Sequence, residues 1–252
     1  MTMQQGRIWD KFLTDRDKRV FETSGYGRRQ GFGKRPSLII VDVNYAFCGE
    51  APEPILQSIK KWPNSCGEDA YVALPYIRTL RDKAHEKGIP VIYTTGVRRA
   101  DNWDAGSWRW KNSRDGESVR TVTALGIAGD EIHAMVAPGP KDLICYKQKP
   151  SGFFGTNLAS YLTLLGCDSI VIAGTTTSGC VRATVVDAFS LNYRVAISEE
   201  GCFDRCQASN AVNLCDMHAK YADVTQTAEL VEFFDGLAAG MFELPSGSAV
   251  PR

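Results

Sequence analysis

Apolar residues recur along the chain in short continuous runs that alternate with longer segments of helical periodicity. Five runs are typical of strands buried on both faces of a sheet: residues 37–43, 89–95, 142–146, 168–174 and 193–198. Four further segments, and the stretch that follows residue 180, repeat apolar positions at one-turn spacing and predict helices: residues 68–87, 156–165, 207–220 and 226–237. Residues 44–67 carry several Pro and Gly breaks, which predict a long loop.

This alternation of strands and helices predicts a doubly wound α/β fold. We expect a mainly parallel sheet of about six strands, with helices on both faces. The run 37–43 is continuously apolar and is expected to be a central strand. We assign residues 37–240 to a single domain, residues 1–36 to an N-terminal arm or lid, and residues 241–252 to a C-terminal tail.

The charge balance of the chain bears on its partners and its compartment. The 252 residues contain 29 Lys plus Arg and 29 Asp plus Glu, which gives no electrostatic reason to expect nucleic acid or an anionic membrane as a partner. No apolar run approaches the roughly 20 residues of a membrane span, and the polar N-terminus does not resemble a secretory signal. We therefore expect a cytoplasmic protein.

Eight cysteines are present, and their number raises the question of disulfides or zinc. In a long chain with an α/β pattern and no signal peptide, mostly reduced thiols are expected. Cys202 and Cys206 are four residues apart, but no second Cys/His pair follows at zinc-finger spacing, so a zinc site there is not favoured. The chain has no C-x-x-C motif, which also argues against a redox protein.

Three chemically distinct side chains follow predicted strands. Asp42 lies near the end of the first strand, Lys147 just past the third, and Cys180 just past the fourth. Each alone has an ordinary explanation: a helix cap or loop anchor, a solvated lysine, and a small core residue. Ligands of open parallel sheets bind beyond the carboxyl ends of the strands. Three such groups at one edge therefore favour a functional site.

A histidine is not the favoured partner for activation of Cys180. None of the three histidines in the chain, His85, His133 and His218, falls just beyond a core strand. A carboxylate and an ammonium remain as alternatives to a Cys–His dyad. Lys147 and a helix N-terminus would both favour the thiolate, and Asp42 could accept the thiol proton and return it to a leaving group.

Three sequence motifs carry a resemblance to a known family. They are LIIVDVNYAF at residues 38–47, KQKPSGFFGT at 147–156 and GTTTSGCVRATVVDAF at 174–189. With these motifs in order, residues 37–225 resemble the isochorismatase-like cysteine hydrolases, and within them the branch of N-carbamoylsarcosine amidase and maleamate amidase. The spacing of the second motif matches the family lysine to Lys147 and not to Lys149.

The resemblance implies a role for each matching position. Cys180 is the expected nucleophile, Asp42 the general base and acid, and Lys147 the third catalytic member. It also implies a cis peptide bond between Thr175 and Thr176. The backbone amides of Thr176 and Cys180 would then form an oxyanion hole.

The resemblance further implies how the substrate is recognised. Arg205 lies 25 residues after Cys180, where this branch has an arginine that holds the substrate carboxylate, and a guanidinium fits a carboxylate bidentately. The alternative is that Arg205 forms a surface ion pair with Asp204 or Glu199. The expected substrate contacts are Phe47, Thr175, Thr176 and Arg205.

Two departures from related enzymes refine the expectation. Nicotinamidases of the superfamily bind a metal through an aspartate and histidines just after the second strand. Residues 93–106 contain no histidine, so we expect no metal and no cofactor. True isochorismatases lack the nucleophilic cysteine, so Cys180 favours the hydrolysis of an amide or ureide.

The sequence thus predicts a cysteine-dependent amidohydrolase. Its substrate would be a small linear amide or ureide bearing a carboxylate, similar to N-carbamoylsarcosine or maleamate, and ammonia would leave through a thioester or thiocarbamate intermediate. The alternatives are a hydrolase of a neutral ureide such as biuret and a non-catalytic relative that binds a small carboxylate. The resemblance and the tryptophan-rich segment 97–120 favour a homo-oligomer, a tetramer in particular.

Overall fold

The fold is built on one parallel sheet. The computed structural model describes residues 6–111 and 122–247. Within them six strands pair in parallel: β1 (Pro36–Val41), β2 (Val91–Gly96), β3 (Leu143–Lys147), β4 (Ser169–Thr175), β5 (Arg194–Phe203) and β6 (Asp223–Thr225). Their order is β3-β2-β1-β4-β5-β6, so β1 is central, as its apolar run predicts. The predicted doubly wound α/β fold is confirmed.

Helices connect the strands. The described residues form α1 (Asp15–Ser24), α2 (Tyr45–Cys48), α3 (Ile55–Lys61), α4 (Glu68–Lys87), α5 (Trp108–Lys111), α6 (Leu158–Leu164), α7 (Arg182–Ser190), α8 (Gln207–Lys220) and α9 (Thr227–Asp235). The helices predicted after β1, β3, β4, β5 and β6 correspond to α4, α6, α7, α8 and α9. None of the helices in these ranges is both long and apolar enough to cross a membrane.

The prediction of one continuous loop over residues 44–67 was wrong. This segment contains α2 and α3, and both have local causes. The Asn44 side chain accepts a hydrogen bond from the Phe47 backbone N–H at 3.2 Å and so caps α2. Pro54 precedes α3 with φ −52°, which suits the start of a helix. Short helices between breaks carry too few periodic positions to be recognised from the sequence.

The central strands are buried because their two faces pack against different helices. Ile39 and Val41 of β1 belong to a core that includes side chains of α6, α7 and α8. Leu38 and Ile40 point the other way, into a core shared with α4 and α9. Alternation along a strand sends successive side chains to opposite faces, so a continuous apolar run is needed where helices cover both. The predicted covering of both faces is confirmed.

Gly174 allows the central strands to approach closely at their carboxyl ends. Its φ is +121°, and a Cβ there would lie 2.2 Å from the carbonyl oxygen of Val41. Only glycine combines that dihedral with that contact. The close approach brings Asp42, which follows β1, beside the turn that follows β4.

The N-terminal segment packs along the β5–β6 side of the sheet. Trp9 is buried, with its ring centroid 5.5 Å from that of His218. Arg7 forms an ion pair with Glu199 at 3.0 Å, and the backbone N–H of Gly31 donates to Asp223 at 2.8 Å. The segment is therefore attached to the domain, and its separate status as an arm or lid stays a prediction.

Candidate active site

Asp42, Lys147 and Cys180 meet at the carboxyl edge of the sheet. Lys147 ends β3, and its Nζ lies 2.7 Å from Asp42 Oδ2 and 3.3 Å from Cys180 Sγ. Asp42 and Lys147 are buried, at 2% and 7% exposed. The structure thus brings together the three residues that the sequence singled out, at or just beyond the carboxyl ends of three different strands.

Both oxygens of the Asp42 carboxylate are engaged. Oδ2 faces Lys147, and Oδ1 accepts a hydrogen bond from the hydroxyl of Thr94 at 2.8 Å. Thr94 lies on β2 opposite Val41, so the strand register places its side chain next to Asp42. Asp42 itself has φ +52°, a left-handed conformation that few residues other than glycine adopt. Thr94 was not predicted from the sequence, although a hydroxyl near the end of the neighbouring strand was a usable signal.

The turn that carries Cys180 is a single π-helical turn, Thr177–Val181, which runs into α7. It follows a cis peptide bond between Thr175 and Thr176, as the family resemblance implies. The Thr176 carbonyl accepts from the backbone N–H groups of Gly179 and Val181, at 2.9 and 3.1 Å. A Cβ on Gly179 would lie 2.6 Å from the Thr176 hydroxyl, so glycine is needed for this packing. π-helical turns occur often at functional sites.

Asp204 fixes the position of this turn. The carboxylate is buried, and its Oδ2 accepts from both the backbone N–H and the hydroxyl of Ser178, at 2.8 and 2.7 Å. Its Oδ1 accepts from the Arg205 backbone N–H at 2.7 Å. The turn with Cys180 is thereby joined to the loop after β5. From the sequence, Asp204 was considered only as a surface partner of Arg205.

The surroundings of Cys180 and Lys147 shift the pKa values of both groups. Burial and the nearby Asp42 charge raise the pKa of the Cys180 thiol to about 12, although Lys147 opposes them. Burial alone would lower the pKa of Lys147, but Asp42 and Cys180 together raise it. The resting site therefore holds a neutral thiol beside a carboxylate–ammonium pair. Transfer of the thiol proton to Asp42 leaves the net charge of the site unchanged.

A small cavity opens onto the three residues. Its volume is about 110 Å³, and Asp42, Lys147 and Cys180 form part of its lining. Phe47 and Trp108 also line it. Thr175 is fully buried and donates to the Phe203 carbonyl at 3.0 Å, so its side chain joins β4 to β5 behind the cavity. Thr176 is also buried, and Phe47 is the predicted substrate contact whose side chain reaches the cavity.

Arg205 lies behind the cavity wall. Its Nε donates to the carbonyl of Asn64 at 3.0 Å, and its guanidinium lies 5.6 Å from the centroid of the Phe47 ring. Both Phe47 and Asn64 line the cavity. Glu199 pairs with Arg7, and Asp204 contacts the backbone of Arg205, so the surface ion pair considered as an alternative is not formed. Contact with a substrate carboxylate stays a prediction.

The described residues include free thiols, which raises the question of a metal site. Each of the eight cysteines, all within the described ranges, is a free thiol. Among the same residues, no group of three or more His, Cys, Asp or Glu side chains is arranged to hold a metal ion. The expectation of no metal and no cofactor stays a prediction.

Comparisons with known proteins agree with this architecture. Residues 36–229 match the sequence profile of the isochorismatase domain. The chain is 31% identical over 223 residues to an N-carbamoylsarcosine amidase of Arthrobacter sp., covering 86% of this chain and 78% of that protein. It is 27% identical over 219 residues to a maleamate amidohydrolase of Pseudomonas putida, covering 84% and 93%.

The fold has a counterpart among solved structures. A cysteine hydrolase of Pseudomonas syringae pv. phaseolicola superposes with a TM-score of 0.70 at 21% identity, over 83% of this chain and 97% of that one. This likeness concerns the fold, whereas the profile match covers most of the chain in sequence. The chain therefore belongs to the isochorismatase family.

Proposed function

We propose that this amidohydrolase of small amides or ureides uses Cys180 as its nucleophile and acts on a substrate that bears a carboxylate. The observation that carries the proposal is the contact of Lys147 with both Asp42 and Cys180 at the wall of a small cavity, at 2.7 and 3.3 Å. The names of the N-carbamoylsarcosine and maleamate relatives support the substrate class.

The reaction begins with a proton transfer. Asp42 accepts the proton of Cys180, and the thiolate attacks the carbonyl carbon of the amide or ureide. Because the pKa of the thiol is raised to about 12, thiolate is scarce until this transfer occurs. The ammonium of Lys147 stays beside both groups and stabilises the negative charge as it moves from the carboxylate to the sulfur.

The tetrahedral intermediate needs donors for its oxyanion. We assign the backbone amides of Thr176 and Cys180 to this role, because both belong to the turn at the start of the π-helix–α7 unit. Helix N-termini favour negative charge. Loss of one such donor typically lowers turnover by roughly 100-fold or more.

The intermediate collapses with release of ammonia. Asp42 returns its proton to the leaving nitrogen, and the carbonyl carbon stays bonded to Cys180 as a thioester or, from a ureide, a thiocarbamate. Asp42 then removes a proton from water, whose oxygen attacks the same carbon. The C–S bond breaks, and Asp42 gives the proton taken from water to the leaving sulfur, which regenerates the Cys180 thiol and the Asp42 carboxylate. Each cycle therefore consumes one amide and one water.

The proposal also includes the kind of substrate and the oligomeric state of the enzyme. A cavity of about 110 Å³ suits a molecule with few heavy atoms, such as one similar to N-carbamoylsarcosine or maleamate. A neutral ureide such as biuret and a non-catalytic carboxylate binder are the alternatives. Trp103 and Trp110 are exposed, at 75% and 86%, and lie close in sequence to Asp104 and Trp108, which line the cavity. Their exposure supports a homotetramer in which subunit contacts bury these two rings. We place the enzyme in the cytoplasm.

An ammonia-release assay tests the proposal. A panel of short amides and ureides, with and without a carboxylate, is compared for wild type and Cys180→Ala. We expect the variant to fold normally by circular dichroism and to lose all measurable ammonia release. Cys206→Ala, which removes an exposed thiol, is the matched control. Activity in Cys180→Ala within tenfold of wild type would refute the mechanism.

A further inference from the structure

We propose that Lys149 binds the carboxylate of the substrate and so determines specificity for acidic amides. The inference rests on the proposed function and deepens it. The sequence motif KQKPSGFFGT contains two lysines, and Lys147 is the one in contact with Cys180. Lys149 also lines the cavity, but it has no part in the contacts among Asp42, Lys147 and Cys180.

The backbone of Lys149 is fixed close to the nucleophile. Its carbonyl accepts a hydrogen bond from Lys147 Nζ at 3.2 Å, and that nitrogen lies 3.3 Å from Cys180 Sγ. The backbone of Lys149 is thus separated from the sulfur by two polar contacts. A four-carbon side chain starting there can carry its ammonium to the far end of a small substrate whose carbonyl carbon faces the sulfur.

The ammonium itself contacts another part of the cavity lining. Lys149 Nζ lies 3.4 Å from the carbonyl oxygen of Ala105, another lining residue. A Cβ on Gly106 would lie 3.0 Å from the same nitrogen, and glycine leaves that space open. Two further hydrogen bonds hold this part of the lining against the strand end: Trp108 Nε1 donates to the Gln148 carbonyl at 3.1 Å, and Gln148 Nε2 donates to Asp104 at 2.6 Å.

The charge of Lys149 is available to an anion. Lys147 is committed to Asp42 in a buried pair. Lys149 is half-buried, and its ammonium donates to the neutral carbonyl of Ala105 at the long distance of 3.4 Å. Within residues 6–111 and 122–247, no carboxylate forms an ion pair with it. A substrate carboxylate would replace that long contact with a charge-assisted hydrogen bond, which is shorter and stronger.

This position differs from that of Arg205. The guanidinium of Arg205 is held behind Phe47 and Asn64, whereas Lys149 forms part of the cavity surface. A substrate that reaches Cys180 meets Lys149 without any rearrangement of the wall. Of these two cations, the geometry therefore favours Lys149 for the direct carboxylate contact, and Arg205 would add to it only by moving or through its long-range charge.

The test compares matched acid and neutral ligands. Lys149→Met removes the charge and keeps a long, unbranched side chain, and Lys149→Arg keeps the charge. Lys111→Met, which removes an exposed lysine at the end of α5, serves as the control. Binding of N-carbamoylglycine and N-carbamoylglycinamide is measured by calorimetry in the Cys180→Ala background. For the proteins with Cys180 intact, the ratio of kcat/KM for the same pair is determined from ammonia release.

We expect Lys149→Met to lower the acid-to-neutral ratio by roughly tenfold to a hundredfold, in binding and in kcat/KM, as for the loss of a hydrogen bond to a charged group. Lys149→Arg should retain part of the ratio, and Lys111→Met should retain all of it. A ratio within twofold of wild type in Lys149→Met would overturn the proposal. Because binding needs no turnover, this failure is distinct from a failure of Cys180 to act as nucleophile.

Discussion

Replacement of Asp42 by asparagine is expected to change two reactions of Cys180 in opposite directions. The substitution keeps the size of the side chain but removes both the proton acceptor and a negative charge. That charge helps to raise the pKa of the thiol, while Lys147 opposes it. Without Asp42, the ammonium of Lys147 faces the sulfur alone, so simple ionisation of the thiol becomes easier while enzyme-assisted proton transfer is lost.

The size of the effect follows from the raised pKa. A thiol with a pKa of about 12 has, near neutral pH, about a thousandth of the thiolate of one with a pKa of 9.0. We expect Asp42→Asn to speed alkylation of Cys180 by iodoacetamide at pH 8 at least about tenfold, because the thiolate is the reactive form. Turnover should fall by roughly 100-fold or more, as for the loss of a general base.

Peptide mass spectrometry provides the assay, with the exposed thiol of Cys206 as an internal reference in the same sample. In the wild type, alkylation of Cys180 should keep rising with pH up to pH 10, since the pKa of its thiol lies above that range. Lys147→Met is the matched variant of opposite sign, because it leaves Asp42 facing the sulfur and should slow alkylation. Both substitutions break a buried ion pair and should lower the free energy of unfolding by about 3–5 kcal/mol.

The result that would refute this reasoning is a parallel decrease in the alkylation rate of Cys180 and in turnover. If Asp42→Asn slowed alkylation as much as turnover, Asp42 would serve to keep the thiol ionised or in place, and it would not be the group that takes up the proton. If alkylation and turnover were both unchanged, another base would act on Cys180. Measurements of thermal unfolding ensure that both reactions are compared on folded protein.

The remaining predictions concern Arg205 and assembly. If Arg205 also approaches the substrate carboxylate, Arg205→Ala should lower the acid-to-neutral ratio of kcat/KM by a factor that corresponds to about 2–5 kcal/mol. Arg205→Lys should restore only part of the ratio, because an ammonium lacks the guanidinium fork. An unchanged ratio in Arg205→Ala would exclude that contact. Light scattering of active enzyme at micromolar concentration should report four times the 27.7 kDa chain mass, and a monomer would contradict the tetramer.

The sequence was informative where a segment must be buried on both sides. The apolar run at residues 37–43 predicted a central strand, because only a strand covered by helices on both faces tolerates such a sequence. Asp42, Lys147 and Cys180 were identified because they lie at or just beyond the carboxyl ends of three predicted strands. Parallel strands bring their carboxyl ends to one edge of the sheet. Side chains at those ends can therefore be predicted to lie close together even when no distance is known.

Other features were hidden because they depend on tertiary contacts. β6 has only three residues, Asp223–Thr225, and no run of that length is distinctive. The loop predicted at 44–67 contained α2 and α3, which are stabilised by the Asn44 cap and by Pro54. The contact of Thr94 with Asp42 requires the register of β2 against β1, and register is not visible in one strand alone.

The hydrogen bonds of Asp204 have a consequence for the redesign of this enzyme. One oxygen of its carboxylate accepts from Ser178, two residues before Cys180, and the other from the backbone of Arg205. The loop after β5 could be replaced by that of a relative in order to alter substrate choice. Such a replacement would also change the hydrogen bonds that hold the turn with Cys180. The turn with Cys180 and the loop after β5 are therefore coupled, and they should be exchanged between homologues together.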